Sequence, residues 1–214
     1  MDAEPSFHPE PVMTEEPSGR RALGSLIGSD AGGAALSRTS VIPTRSVVCH
    51  VCGRVSEVPA AALSAHCIHC RVHLAMGDVS LFPGSSKTRV YTQGDVTIHP
   101  NAVLSHLDIH CHNLLMKGTA SGNFVCSGVL DIHSKTAVSG AVRAHTLRLR
   151  EKSHAVFRKA VMVHNAVIEG TLEGKLEATG SITVAETGVF LGDVKAGALT
   201  VRPGGVHRGH LPRQ

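Results

Sequence analysis

The sequence predicts an all-β protein whose main element is a parallel β-helix, a solenoid of about six to seven coils. From Val96 onward the chain repeats itself about every 17 residues, and such a period is typical of stacked structural repeats. Aromatic residues make up only 3% of the chain, Trp is absent, and Gly occurs 22 times. This composition favours thin β-layers filled by small and β-branched side chains over a bulky globular core.

Each repeat opens with alternating apolar residues, which share one face of a short strand. The alternation recurs at Leu130–Ile132, Leu147–Leu149, Ile182–Val184 and Leu199–Val201. A second alternation with a Gly follows in most coils, and Gly suits a corner that requires positive φ or close backbone approach. Strands joined by such corners stack into continuous apolar ladders. The coils vary from 16 to 19 residues without a strict hexapeptide rhythm, which favours a right-handed solenoid.

Composition and period divide the chain into five segments. Residues 1–45 are rich in Pro, Ser, Gly and Glu and show no sustained period, which predicts a disordered tail. We expect a small module at residues 46–75, a linker at 76–92, the β-helix at 93–211 and a short tail at 212–214.

The small module contains two Cys-x-x-Cys pairs, Cys49 with Cys52 and Cys67 with Cys70, separated by fourteen residues. Each pair holds two thiolates on one tight turn, and two such turns supply the four soft ligands in the tetrahedron that Zn²⁺ prefers. Because thiolates would fill all four positions, no coordination site stays open and the metal should be structural. The spacing therefore predicts a module resembling a zinc ribbon.

Two alternatives stay open for this module. Any of four histidines in the same segment could replace a cysteine ligand: His50, His66, His69 and His73. The thiols could instead be unrelated and reduced, or one pair could be a redox Cys-x-x-Cys. We prefer the ligand set of four cysteines because two matching pairs need no substitution.

The coils share a pattern in which an aliphatic-x-aliphatic opening is followed by an aliphatic-x-Gly-x-aliphatic-x-Ala stretch. In this pattern the chain resembles the bactofilins, a family of bacterial polymer-forming cytoskeletal proteins, over residues 90–211 and most clearly from Leu130 to Gly209. The resemblance implies a right-handed β-helix that polymerises end to end into non-polar filaments without nucleotide. It also implies a role in cell shape, wall synthesis or protein positioning. The module with the four cysteines lies outside the family pattern.

The C-terminal end of the solenoid is the predicted site of self-association. Only Pro-Arg-Gln follows Leu211, which is too little to cover the last coil. An uncovered coil presents unpaired backbone groups and apolar side chains to another copy of the chain. We expect the contact to include Leu199, Val201, Val206, Leu211 and, one coil inward, Phe190.

An enzymatic alternative is a trimeric β-helix of the carbonic-anhydrase or acyltransferase kind, because the solenoid is rich in His. His110 and His112 point to the same face of a strand, and His106 is nearby, so a second metal site is conceivable. Asp108 is the only carboxylate close by, and surface histidines are the preferred interpretation. We interpret the two remaining cysteines, Cys111 and Cys126, as small apolar fillers. With no catalytic triad or phosphate loop in the sequence, we predict no enzymatic activity.

A binding alternative is an adaptor in which the solenoid multimerises a zinc ribbon that recognises protein or nucleic acid. The module has few basic residues, Arg45, Arg54 and Arg71, and no aromatic residue for base stacking, so a protein client is the better expectation. A polymer that displays many ribbons would also gain avidity from valence.

The sequence predicts a cytoplasmic protein. No stretch approaches the roughly 18 apolar residues that span a bilayer, and the acidic, Pro-rich N-terminus is unlike a signal peptide. Six Cys in a reducing compartment favour metal binding over disulfides. The net charge of +4 comes without Lys/Arg tracts, so nucleic acid is a disfavoured partner. The segment Arg20–Ile27 could contact a membrane peripherally or a partner, with a solvated linker as the alternative.

Overall fold

The structure is a computed structural model that describes residues 42–210. The predicted tail up to residue 41, with its segment Arg20–Ile27, lies outside the described residues, and so do Leu211 and the tail 212–214. Within 42–210 the chain forms nineteen β-strands and no helix. None of these residues therefore belongs to a helix able to cross a membrane.

The N-terminal module consists of two antiparallel hairpins. Its strands are β1 (Thr44–Val48), β2 (Val55–Pro59), β3 (Ser64–His66) and β4 (His73–Ala75). The loop of each hairpin carries one Cys-x-x-Cys pair. Six buried residues form the core of the module: Val47, Cys49, Val58, Cys67, Leu74 and Met76. A core of this size rarely stabilises a fold without a further constraint such as a metal.

The solenoid contains the other fifteen strands, and every pairing among them is parallel. Its strands are β5 (Val79–Leu81), β6 (Arg89–Tyr91), β7 (Val96–Ile98), β8 (Val103–Cys111), β9 (Leu114–Met116), β10 (Thr119–Ile132), β11 (Lys135–Val138), β12 (Val142–Leu149), β13 (His154–Phe157), β14 (Val161–Ile168), β15 (Thr171–Glu173), β16 (Leu176–Val184), β17 (Val189–Leu191), β18 (Val194–Val201) and β19 (Val206–Arg208). The long strands pass around a corner and so contribute to two ladders. The predicted all-β solenoid is confirmed.

Each turn contributes up to three short strand segments, and these stack into three ladders. Successive partners in the first ladder lie 16 to 19 residues apart, as the sequence repeat predicts. The inward column of the first ladder is Leu81, Ile98, Met116, Ile132, Leu149, Ile168, Val184 and Val201. The second ladder has an inward column from Val90 to Val194, and the third is the sheet β11-β13-β15-β17-β19. Alternation therefore fills the interior with aliphatic layers.

The solenoid has eight turns, which start at Val79, Val96, Leu114, Leu130, Leu147, Ala166, Ile182 and Leu199. The first turn lies inside the segment predicted as a linker, residues 76–92, because β5 pairs with β7 and β6 pairs with β8. Its middle is the loop 82–88, rich in Pro, Gly and Ser, where the apolar alternation of the other turns is missing. That loop hides the period from a sequence pattern. The right-handed sense stays a prediction.

Two corner glycines show why the coils need Gly at this place. Gly122 has φ of +146° and Gly192 has φ of +141°, values that L-residues rarely adopt. A Cβ at Gly122 would lie 2.0 Å from the carbonyl oxygen of Leu107 in the preceding turn. Only Gly permits both the conformation and the close stacking of turns.

Candidate metal centre and assembly end

The first cysteine pair lies on a tight turn between β1 and β2. The backbone N–H of Gly53 donates to the carbonyl of Cys49 at 2.9 Å, and the N–H of Cys49 donates to the carbonyl of Arg54 at 3.0 Å. Gly53 has φ of +68°, the left-handed conformation that Gly adopts without steric cost. The turn therefore holds Cys49 and Cys52 on one side of the hairpin.

The second pair repeats this geometry between β3 and β4. The N–H of Arg71 donates to the carbonyl of Cys67 at 2.8 Å, and the N–H of Cys67 donates to the carbonyl of Val72 at 2.9 Å. Arg71 occupies the position of Gly53 and has φ of +61°. Sequence analysis identified the left-handed step only at Gly53, because Arg carries no signal for that conformation. The matching spacing after each pair was the available clue.

The four sulfurs converge to a single cluster. All four Sγ atoms of Cys49, Cys52, Cys67 and Cys70 lie within 4.8 Å of one another. The Sγ atoms of Cys49 and Cys70 are 3.6 Å apart, as are those of Cys52 and Cys67, so each close contact joins the two turns. Four sulfurs bound tetrahedrally at about 2.3 Å from one ion would lie about 3.8 Å apart. The cluster therefore has the size to hold a metal ion.

Protonation of the four thiols is unequal. The backbone N–H of Cys70 donates to the Cys67 sulfur and is the main cause that lowers the pKa of Cys67 to about 6. At Cys70 the backbone N–H of Val72 opposes the shift, but burial and the neighbouring sulfurs raise the pKa to about 12. Neighbouring thiolates repel one another, so the cluster binds protons tightly unless a cation replaces them.

The histidines of the module do not join this cluster. Among the described residues, the four cysteines form the one group of metal-binding side chains close enough to share an ion. The rings of His66 and His73 pack against each other with centroids 5.5 Å apart. Nε2 of His69 lies 3.3 Å from the carbonyl of Val55. This geometry favours the ligand set of four cysteines over a set with a histidine.

An aromatic contact joins the module to the first turns of the solenoid. The ring centroids of His50 and Tyr91 are 5.0 Å apart, and those of Tyr91 and His110 are 4.9 Å apart. The Tyr91 hydroxyl donates to Asp108, which raises the pKa of Tyr91. Burial, assisted by the charge of His110, lowers the pKa of His50. Nε2 of Gln93 also donates to the carbonyl of Val48 at 2.8 Å.

The solenoid histidines proposed as a second metal site are not brought together. His106 has φ of +57° at the corner of β8, while His110 pairs with Asp108 at 3.8 Å. His112 Nδ1 lies 3.0 Å from the hydroxyl of Ser127. These three histidines do not form a metal-binding group among residues 42–210. Strand alternation does place His110 and His112 two residues apart, but their side chains find different partners.

Cys111 and Cys126 are buried side by side in adjacent turns. Their Sγ atoms are 3.7 Å apart. The neighbouring Cys111 thiol and burial raise the pKa of Cys126. A protonated, buried thiol is a poor nucleophile, so both residues act as small apolar fillers of the core.

The C-terminal end of the solenoid exposes part of its interior. Val201 follows Val184 in the inward column of the first ladder, yet Val201 is 41% exposed whereas Val184 is fully buried. Leu199 is half-buried and Val206 is 38% exposed. Phe190 is fully buried beneath the last turn. Of the five residues predicted for the assembly contact, Leu211 lies outside the described residues.

The two ends of the inward column differ. Leu81, in the first turn, is fully buried even though no described strand pairs with the outer side of β5. Sequence analysis missed this difference and also missed His207, which follows Phe190 in the third ladder. Aligning Val189–Leu191 with Val206–Arg208 gives the register that would have shown it.

Comparison with protein families gives one result. A family model for bactofilins, described as polymer-forming cytoskeletal, matches residues 73–156 and 152–212. The two matches together span more than half of the 214-residue chain. They begin in β4 and cover the whole described solenoid. Searches of curated proteins and of solved structures found no match.

Proposed function

We infer that the solenoid is the self-assembling part of a scaffold, since the chain belongs to the bactofilin family, whose members are polymer-forming cytoskeletal proteins. In this proposal the assembly is end to end and uses the last turn of the β-helix. The partially exposed interior at Leu199, Val201 and Val206 is the observation that supports it most directly. The family is a structural one, so no catalytic step is part of the proposal.

The physical reason for assembly lies in the last turn. No described strand pairs with the outer side of β18 or β19, so their edge groups are free to bond to another strand. Burial of each aliphatic side chain there by a second copy would contribute about 1.5–3 kcal/mol at full exposure, and a fraction of that for partly covered side chains. Several such side chains and a set of ladder hydrogen bonds together favour stacking of a second solenoid.

Electron microscopy of negatively stained protein tests this proposal. The variant Val201→Arg places a charge in the cross-section of the last turn and should abolish filaments, because an unpaired charge cannot be buried cheaply. Met162→Arg is the matched control, because Met162 is an exposed apolar residue on the side of the solenoid. We expect the control to form filaments like the wild type.

Two results would contradict end-to-end assembly. Filaments that survive in Val201→Arg would show that the last turn is not the contact. Filaments lost equally in Val201→Arg and Met162→Arg would point to lateral association or misfolding, and circular dichroism of both variants separates these two causes.

We further propose that the cysteine cluster binds one structural Zn²⁺ and that the module recruits a protein client. The four-sulfur set leaves no open ligand position, and reduced thiols of this kind fit the cytoplasm. The loop residues between the cysteines of each pair support docking, because Val51 is 63% and Ile68 is 72% exposed. Aliphatic side chains this exposed on two loop tips are typical of contact surfaces.

The charge of the module specifies the client further. The module carries three arginines and one glutamate. We therefore propose that the client presents an apolar segment with acidic neighbours, which would meet both the aliphatic tips and the positive charge. Display of many modules on one filament would raise the avidity of a weak contact.

A peptide display library with acidic and basic sequences of equal hydropathy tests the client. Selection on zinc-loaded wild-type protein should enrich acidic, apolar peptides. The same peptides should fail to bind Ile68→Ser, whose zinc content is measured in parallel to show that the module is intact. Enrichment of basic peptides, or of peptides that bind Ile68→Ser equally well, would contradict the proposed surface.

A further inference from the structure

The inward column of the third ladder ends in a histidine. Its strands β11, β13, β15, β17 and β19 pair in register. The aligned inward residues are Thr136, Ala155, Leu172, Phe190 and His207. The first four are buried, and His207 is half-buried at the end of the column. An imidazole thus takes the position that an apolar side chain takes in the three preceding turns.

Local contacts hold this imidazole over the core. The ring centroids of His207 and Phe190 are 5.2 Å apart with the planes tilted by 36°. Nε2 of His207 lies 3.2 Å from the carbonyl oxygen of Gly192. On the first ladder of the same turn, Leu199 and Val201 also present partly exposed inward side chains. His207 therefore belongs to the same cross-section as the proposed assembly contact.

The surroundings of His207 disfavour a positive charge. The strand beneath it, β17, consists of Val189, Phe190 and Leu191 and has no titratable group. The charged and titratable groups on the neighbouring elements are Arg202, Arg208, Lys195, His210, Asp193 and Glu186. Three of these are permanently positive, and Asp193 Oδ1 already faces the backbone N–H of His210 at 3.4 Å. No described carboxylate forms an ion pair with His207 within 4.0 Å, so a charge on it would not be compensated.

We propose that His207 makes end-to-end assembly dependent on pH, with a second copy of this chain as the partner that covers it. Imidazole is the side chain that changes its charge between about pH 5 and 8. A second solenoid stacked on the last turn removes water from the ring, and this desolvation disfavours the protonated form. The neutral ring is compatible with the contact, and the protonated ring opposes it. Assembly is therefore stronger at higher pH and weaker at lower pH. This inference rests on the proposed end-to-end assembly.

Sedimentation of the full chain at about pH 7.5 and at about pH 5.5 tests the inference, because these values lie on either side of imidazole titration. Exclusion of one proton per contact weakens association by up to about tenfold for each pH unit. The critical concentration of the wild type should therefore rise severalfold or more at the lower pH. His207→Leu and His207→Gln carry no titrating group and should assemble equally at both values.

Matched controls separate His207 from other acid-sensitive groups. His145→Leu removes a histidine that stacks on His164 with ring centroids 5.0 Å apart, on the side of the solenoid, and should keep the wild-type pH dependence. All these variants retain the cysteine cluster, so any metal lost at low pH is lost in each of them. His207→Gln keeps a polar side chain near the Gly192 carbonyl in case His207→Leu perturbs the last turn.

The outcomes distinguish this inference from the proposed function. Wild-type assembly that does not change with pH would overturn the role of His207 and leave end-to-end assembly intact. The same conclusion follows if both His207 variants lose assembly at low pH as the wild type does. A wild type that assembles at neither pH would overturn the scaffold function and this inference together. Dependence on pH that vanishes only in the His207 variants is the result that supports it.

Discussion

The module and the solenoid are stabilised in opposite ways. The module buries six core residues and gathers four thiols at one point, whereas the solenoid buries thirty-four residues in one continuous cluster along eight turns. In the solenoid each turn contacts its neighbours, so stability is distributed along the axis. In the module a single centre joins the two hairpins. Loss of one ligand should therefore be fatal to the module, while loss of one core residue should weaken the solenoid only in part.

The largest expected effect is on the module. Cys67→Ser, or removal of metal with a chelator, should unfold residues 44–75, because structural zinc contributes about 10–16 kcal/mol of apparent binding free energy in small modules. Hydrogen exchange followed by mass spectrometry should show loss of protection in the module and unchanged protection in β12 to β16. Cys126→Ala is the control, and its zinc content should equal that of the wild type. Equal loss of protection in the solenoid would break the distinction between the two regions.

The second effect concerns one layer of the solenoid. Leu149 is fully buried in the inward column of the first ladder. Leu149→Ala should lower the free energy of unfolding by about 2–5 kcal/mol, because it removes transfer energy and leaves a cavity. Urea denaturation measures the change. Met162→Ala, at an exposed position, should stay within about 0.5 kcal/mol of the wild type. A loss of bound zinc in Leu149→Ala would contradict the independence of the module.

A smaller effect is expected at an ionic contact on the outer surface of the solenoid. Arg150 donates from Nη2 to Asp131 at 2.9 Å, and Nε2 of His133 lies 3.1 Å from the same carboxylate. Burial alone would raise the pKa of Asp131, but the hydrogen bond and charge of Arg150 outweigh it and hold the pKa below its usual range. Asp131→Asn should therefore destabilise the solenoid by about 1 kcal/mol at neutral pH.

The sign of the pH dependence follows from that lowered pKa. The contribution of Asp131 is complete above the ordinary carboxyl value of about 4 and is lost as pH falls through the lower value of the folded state. Urea denaturation of the wild type and Asp131→Asn should thus converge in strong acid. Glu173→Gln is the control, since its partner His154 and Glu173 itself are both about 40% exposed. A difference that persists unchanged in acid would mean that the carboxylate charge is not the cause.

The smallest effect should sharpen how the two regions are joined. Gln93→Ala removes the hydrogen bond to the carbonyl of Val48 and should lower the protection of β1 by about 0.5–1.5 kcal/mol. Hydrogen exchange of β1 compared with β12 measures it. Gln93→Glu places an acceptor opposite that carbonyl and should cost more than Gln93→Ala. Equal protection in all three proteins would show that this bond does not couple the regions.

Much of this architecture was predictable because it is written in local patterns. The starts of seven turns, from Val96 to Leu199, follow from alternation at a period of about 17 residues, and the cysteine cluster follows from two equally spaced pairs. The first turn was missed because the loop 82–88 has no apolar alternation. Arg71 was missed as a left-handed residue because its conformation is imposed by the cysteine turn and not by its side chain.

The sequence by itself determined the solenoid, its register and the four thiols, because each depends on spacing along the chain. Only the tertiary structure decided which inward side chains are covered. Val184 and Val201 occupy equivalent places in the repeat, but a turn lies over the first and none of the described turns lies over the second. His207 likewise became part of the exposed cross-section only through pairing of β17 with β19. Burial is a property of neighbours in space, and no local pattern encodes it.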